Sequence, residues 1–184
     1  MTTILLEEHA PENARILVLG AGGGIELKTF ACVHAKWTFL GVDPSAEMLK
    51  LAKQTRGSLI SQVSLLQGYI EDAPEELFDG TTCLLAFHFL TEDVRRKTLA
   101  EVRRRLRPGA PFVLAHLSFP QKEGERTLWL SRYAAFAVPS GVDPRELEAL
   151  QPQLISSSAS LRRNRMNFYS VRPDSLVFVC STQV

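Results

Sequence analysis

Short apolar runs that end at glycine, proline or aspartate alternate along this chain with longer segments in which apolar residues recur at helical spacing. Runs of this length without polar alternation are typical of strands buried on both faces of a parallel sheet. The pattern predicts five strands, at residues 15–19, 37–42, 63–67, 82–87 and 110–117.

Helical spacing fills the gaps between these strands. It predicts helices over residues 25–35, after a Ser45 N-cap, over residues 92–106, and within residues 120–139. Strands that alternate with helices indicate an α/β fold: a doubly wound, mostly parallel sheet in three layers. We expect one domain over residues 1–184, with a core at 15–117. Residues 118–184 would supply a substrate-side helix and an atypical C-terminal segment.

Composition narrows the class of protein. The 184 residues are 45% hydrophobic and 22% charged, with a net charge of +1, so no strong field favours nucleic acid or a membrane surface. No stretch approaches the roughly 20 apolar residues that span a bilayer, and the N-terminus lacks the pattern of a signal peptide. We expect a cytoplasmic protein whose cysteines, Cys32, Cys83 and Cys180, are buried thiols in a reducing compartment.

A glycine-rich turn, residues 20–24, follows the first predicted strand and opens a helix. Backbone N–H groups of such a turn can approach a ligand closely, and Asp43, at the end of the next strand, can accept hydrogen bonds from ribose hydroxyls. Together they favour nucleotide or nucleoside binding over a purely structural turn. No P-loop lysine follows, and the loop has the spacing G-x-G-x-G, not the G-x-G-x-x-G of NAD-binding proteins.

Five segments in order, ILVLGAGGG, GVDPSAEML, LLQGYIEDAP, FDGTTCLLAFHFL and RRRLRPGAPFVLAHL, resemble the class I S-adenosylmethionine (SAM)-dependent methyltransferases over residues 15–117. The resemblance implies a Rossmann-like fold, SAM as cofactor and S-adenosylhomocysteine (SAH) as product. It also implies transfer of a methyl group to an acceptor, which we expect to be a small molecule. It implies no metal.

The resemblance also implies the site, residue by residue. Gly20, Ala21 and Gly22 would pass under the methionine part of SAM, and Asp43 would hold the ribose. Pro44 and Met48 would lie near the adenine, whose other face would be lined by Tyr69, Ile70 and Glu71. Phe87, His88 and Phe89 would border the transferred methyl group.

Histidine supplies the candidates for a general base. His88, where the fourth strand opens into the site, is the first candidate, and a packed histidine that caps the strand end is the open alternative. His116, near the end of the fifth strand, is the second candidate.

Two positions depart from the family pattern. Val18 and Tyr69 stand where relatives usually carry acids, and each departure removes one polar contact to the cofactor. Glu26 could substitute, although a helix dipole also favours an acid there. A degenerate SAM-binding regulatory or scaffold domain without turnover is therefore a second hypothesis. An NAD(P)-dependent oxidoreductase is a third, which the glycine spacing opposes.

Two further features bear on partners. The cluster Arg103, Arg104, Arg105 and Arg107 is interpreted as solvated cations at a helix C-terminus, so we expect no nucleic-acid surface. Trp129, Tyr133 and Phe136 have the spacing of core residues, and lining a substrate pocket is the alternative.

Both ends of the chain differ from the family pattern. About 14 residues precede the first strand, so the lid over SAM would be short, absent or supplied by another subunit of an oligomer. Near the C-terminus, residues 166–171 and 175–180 predict a hairpin. The alternative is a shifted reading frame from Ser157, because permissible codons read one base earlier encode an acidic helix, an AGF turn and a strand. The nucleotide sequence of the gene would decide between these two interpretations.

Overall fold

The computed structural model describes residues 1–117, 123–137, 145, 168–172 and 175–182. Within these ranges, strands and helices alternate as predicted. The helices are α1 (Thr2–Glu7), α2 (Ile25–Val33), α3 (Ala46–Arg56), α4 (Glu92–Arg105) and α5 (Glu123–Ala137). The strands are β1 (Arg15–Leu19), β2 (Thr38–Asp43), β3 (Val63–Gln67), β4 (Gly80–Leu84), β5 (Pro111–Leu117), β6 (Phe168–Arg172) and β7 (Ser175–Thr182).

These strands form one sheet in the order β3-β2-β1-β4-β5-β7-β6. Strands β1 to β5 are mutually parallel, and β7 continues the sheet parallel to β5, from Pro111 opposite Leu176 to Leu117 opposite Thr182. β6 pairs antiparallel with β7, which confirms the predicted C-terminal hairpin. The doubly wound α/β fold is thus confirmed. Residues 157–167 lie outside the described residues, so the shifted reading frame stays a hypothesis.

Alternate residues of β1 supply two apolar layers. Ile16 and Val18 pack on the side of α2, whereas Leu17 and Leu19 pack with Phe78 on the side of α4. This two-sided burial explains why the strand reads as a continuous apolar run. The N-terminal helix α1, which the sequence pattern did not predict, buries Leu6 in the first layer beside Gly80, at the amino end of β4.

The predicted fourth strand, residues 82–87, is wrong at both ends. β4 begins at Gly80 and stops at Leu84, because Leu85 adopts a left-handed φ of 55° and the chain turns into a 3₁₀ segment at Phe87–Phe89. Apolar residues continue through this turn, so the pattern alone overextended the strand.

Two side-chain predictions are also corrected. Arg105 is not solvated but only 3% exposed, and it donates hydrogen bonds to the carbonyls of Ala73 and Pro74. Cys32 is exposed, whereas Cys83 is buried as expected. The side chains of Cys180, His116, Trp129, Tyr133 and Phe136 lie outside the described part of the structure.

Candidate active site

The glycine loop after β1 is held against two neighbouring strands. The N–H groups of Gly20 and Ala21 both donate to the carbonyl of Val42, at 2.9 and 3.1 Å. Gly20 has a φ of 68°, and a Cβ atom there would lie 2.3 Å from the Cβ of Ala86. Only glycine meets both demands, so this position fixes how closely the loop approaches the chain after β4.

Asp43, at the end of β2, joins the glycine loop to helix α3. Its Oδ2 accepts a 2.8 Å hydrogen bond from the Gly22 N–H, and its Oδ1 accepts one of 2.9 Å from the Ser45 N–H. The residue is only 8% exposed. Each carboxylate oxygen can accept a further hydrogen bond, so a diol placed here would find two fixed acceptors. Ser45 also caps α3 by accepting from the Met48 N–H, as predicted.

The turn after β3 is shaped by Asp72. Its carboxylate accepts a 2.8 Å hydrogen bond from the Tyr69 N–H, and it leaves no room for a Cβ at Gly68. The Gly68 N–H donates to the backbone carbonyl of Asp43, which ties this turn to β2. Tyr69 is 57% exposed and Ile70 is buried, so the turn presents one aromatic and one aliphatic side chain.

Arg95, from α4, holds the 3₁₀ turn after β4 in place. Its Nε donates to the carbonyl of Leu90 at 2.9 Å and its Nη2 to the carbonyl of His88 at 3.4 Å. Its guanidinium also lies 6.0 Å from the ring centroid of Phe87. The His88 ring is buried and contacts the half-exposed Phe89, with ring centroids 4.2 Å apart.

A cavity of about 1070 Å³ opens at the carboxyl ends of β1 to β4. Most of the predicted site residues line it: Gly20, Gly22, Asp43, Pro44, Tyr69, Ile70, Glu71, Phe87 and Phe89. Ala21, Met48 and His88 are not among its lining residues. The catalytic role of His88, like the binding roles of the others, stays a prediction.

The structure adds wall residues that the sequence analysis did not single out. Asp72 contributes from the turn after β3, and Cys83 contributes from β4. An apolar wall closes the side next to α4; it combines the added residues Leu85, Leu90 and Val94 with the predicted residues Phe87 and Phe89. Helical spacing placed Val94 on α4, but only the tertiary fold shows which end of that helix meets the site.

A partly buried acid follows the glycine loop. Glu26, in the first turn of α2, accepts a hydrogen bond from the Thr82 hydroxyl, and burial raises the pKa of its carboxyl group to about 7. Thr82 pairs with Val18 in the β1–β4 register. The carboxyl group of Glu26 is therefore brought beside the strand position at which relatives usually carry an acid.

Comparison with known proteins gives the family. Residues 16–109 match the family model described as a methyltransferase domain. An uncharacterized methyltransferase of Anoxybacillus flavithermus is 32% identical over 113 residues, which cover 61% of this chain and 52% of that protein. The chain therefore belongs to the class I SAM-dependent methyltransferase family, and the recognition from sequence is confirmed.

Solved structures of similar fold contain the cofactor or its product. SAM-bound CalS10, an amino pentose methyltransferase from Micromonospora echinaspora, has a TM-score of 0.57 at 29% identity, covering 66% of this chain and 50% of CalS10. PKMT2 from Rickettsia typhi in complex with AdoHcy, which is SAH, has a TM-score of 0.56 at 25% identity. The match covers 76% of this chain and 27% of PKMT2. The chain spans about half the length of the curated relatives it matches.

Proposed function

We propose that this protein binds SAM in the cavity at the carboxyl edge of its sheet and transfers the methyl group to a small-molecule acceptor. The observation that carries the proposal is the hydrogen bond between Gly22 and Asp43. It fixes a carboxylate beside a backbone loop that a ligand can approach closely. Membership in the methyltransferase family and a SAM-bound structure of the same fold support it.

In this proposal Asp43 holds the ribose hydroxyls, and the glycine loop lies under the methionine chain. Pro44, Tyr69, Ile70 and Glu71 enclose the adenine. SAM bound there would supply an electrophilic methyl group to an acceptor aligned with its sulfonium centre, and SAH would be released. Alignment of the two reactants is the main contribution of the protein, and it can supply roughly 7–11 kcal/mol.

The wall next to α4 supports our choice of acceptor class. That wall is apolar, and no lysine or arginine is among the described residues that line the cavity. Among these described residues a phosphorylated acceptor would find no cation to pair with, which favours an uncharged or cationic small molecule. CalS10, whose printed description is an amino pentose methyltransferase, is a small-molecule enzyme of the same fold.

Domain extent and location complete the proposal. We take residues 1–184 as one SAM-binding domain and place it in the cytoplasm, where the free thiols Cys32 and Cys83 would persist. No helix in the described part of the chain is long and apolar enough to cross a bilayer. His88 is retained as the candidate base.

The test is methyl transfer from isotopically labelled SAM to a panel of acceptors. The panel contains small amines, phenols, thiols and phosphorylated metabolites, with bulk tRNA and unfolded protein as separate arms, and Asp43→Ala is the inactive control. We expect label in at least one uncharged or cationic small molecule. Label only in tRNA or protein would overturn the acceptor class, and SAM binding without transfer to any arm would favour the non-catalytic alternative.

A further inference from the structure

The amino-acid end of SAM carries a positively charged α-ammonium group. The acids that line the cavity are not placed to pair with this group. The acids that line the cavity, Asp43, Glu71 and Asp72, all lie at the ends of β2 and β3. In the proposed binding mode that side receives the adenosine. A cation taken out of water needs an anionic or strongly polar partner. Among the described residues, an anionic partner would therefore come from the other side of the cavity, where β1 and β4 meet the glycine loop.

Glu26 is the acid on that side among the described residues. It lies two residues after Gly24, at the second position of α2, and its carboxyl group is fixed by the Thr82 hydroxyl of β4. The next residue of β4, Cys83, lines the cavity. Glu26 and Thr82 are not themselves among the lining residues, so the carboxyl group is placed next to the wall through its hydrogen bond to the neighbour of Cys83.

Among the described residues, no cationic side chain pairs with the carboxyl group of Glu26. Burial dominates its raised pKa, and the bond from Thr82 only partly opposes this effect. Leu27, the next residue, is completely buried, and Val18, opposite Thr82, is part of the same apolar layer. A fixed acid in apolar surroundings, bonded to the residue that directly precedes a lining residue of the cavity, gains strongly from an incoming cation.

We propose that Glu26, held by Thr82, is the anionic partner of the cofactor's α-ammonium group and makes the site selective for cofactors with an intact amino-acid end. This inference rests on the proposed function. When the ammonium group binds, the charged form of the carboxyl group is favoured, so binding stabilises the ionised acid that the free protein resists. A charge-assisted hydrogen bond of this kind is about twice as strong as a neutral one.

The test compares three probes by calorimetric titration. SAM and SAH both carry the ammonium group, whereas 5′-methylthioadenosine lacks the whole amino-acid end. In Glu26→Gln we expect SAM and SAH to bind about tenfold more weakly or worse, with the affinity for methylthioadenosine within twofold of the wild type. Asp93→Asn is the matched control, since Asp93 is an exposed acid at the second position of α4. It should leave all three affinities unchanged.

The outcomes separate this inference from the proposed function. A wild-type protein that binds none of the three probes refutes the SAM site itself. If the wild type binds all three and Glu26→Gln binds SAM and SAH equally well, the role of Glu26 is refuted and the site stands. Weakening of SAM alone would assign Glu26 to the sulfonium group and also overturn the proposal.

Discussion

The backbone N–H of Gly22 donates a 2.8 Å hydrogen bond to Oδ2 of Asp43, 21 residues further along the chain. The glycine loop and the predicted ribose-binding carboxylate thus form one hydrogen-bonded unit, although they follow different strands. The second oxygen of the same carboxylate accepts from Ser45, which starts α3. One buried carboxylate therefore sets the relative positions of a loop and a helix before any ligand arrives.

The close packing of the glycine loop predicts that alanine at Gly20 destabilises the protein more than alanine at Gly109. Gly20→Ala should lower the free energy of unfolding by about 3 kcal/mol, because a left-handed backbone is combined with a clash against Ala86. Gly109→Ala, with a φ of 78° and no atom within 4 Å of the new Cβ, should cost only about 1 kcal/mol. Urea denaturation of both variants checks this, and equal losses would show that the contact with Ala86 has no energetic weight.

Buried Arg105 predicts a second contrast, this time between neighbouring arginines. Arg105→Ala leaves the carbonyls of Ala73 and Pro74 without their donor and should destabilise the protein by about 3 kcal/mol. Arg104→Ala removes only surface ion pairs and should change the midpoint of thermal unfolding little. Similar midpoints for the two variants would contradict the structural role of Arg105.

Glu26 predicts a pH dependence of stability in the absence of cofactor. The pKa of its carboxyl group is raised from 4.5 to about 7 on folding, so its favourable contribution is complete below pH 4.5 and is lost as pH rises through 7. Glu26→Gln cannot ionise and avoids this loss. The stability of the variant relative to the wild type should therefore rise by up to about 3 kcal/mol between pH 4.5 and 8. A difference that stays constant across chemical denaturation at these pH values would show that Glu26 titrates normally.

The two cysteines whose side chains are described should differ in reactivity. Cys32 is exposed, whereas burial raises the pKa of the Cys83 thiol to about 12, so very little of its reactive thiolate exists near neutral pH. When a thiol reagent is added to the native protein, Cys32→Ser should react with one fewer fast-reacting thiol per molecule than the wild type. Cys83→Ser should show no loss of fast-reacting thiols. Loss of the fast phase in Cys83→Ser would contradict the burial of that thiol.

Local signals were enough to predict much of this fold. β1 and β3 have the predicted bounds because each is a short, mainly apolar run with a glycine directly after it. The end of β4 was mispredicted because apolar residues continue through the turn at Leu85, where only the backbone conformation changes.

Local signals also predicted part of the candidate site, whereas contacts between distant segments were missed. Asp43 and the glycine loop were predicted, since strand ends of a parallel sheet meet at one edge. The bond between Thr82 and Glu26 spans 56 residues, and the contacts of Arg105 with Ala73 and Pro74 span 32 and 31 residues. Such contacts depend on how layers pack, and a hydrophobic pattern along the chain does not encode that packing.

The most direct test of the central claim is calorimetric titration of the folded protein with SAM and SAH, for the wild type and Asp43→Ala. Loss of both carboxylate oxygens removes the proposed ribose acceptors and releases the Gly22 N–H. The proposed site predicts micromolar binding of both ligands by the wild type and at least about 100-fold weaker binding by the variant. An absence of binding by the folded wild type, or equal binding by Asp43→Ala, would contradict it.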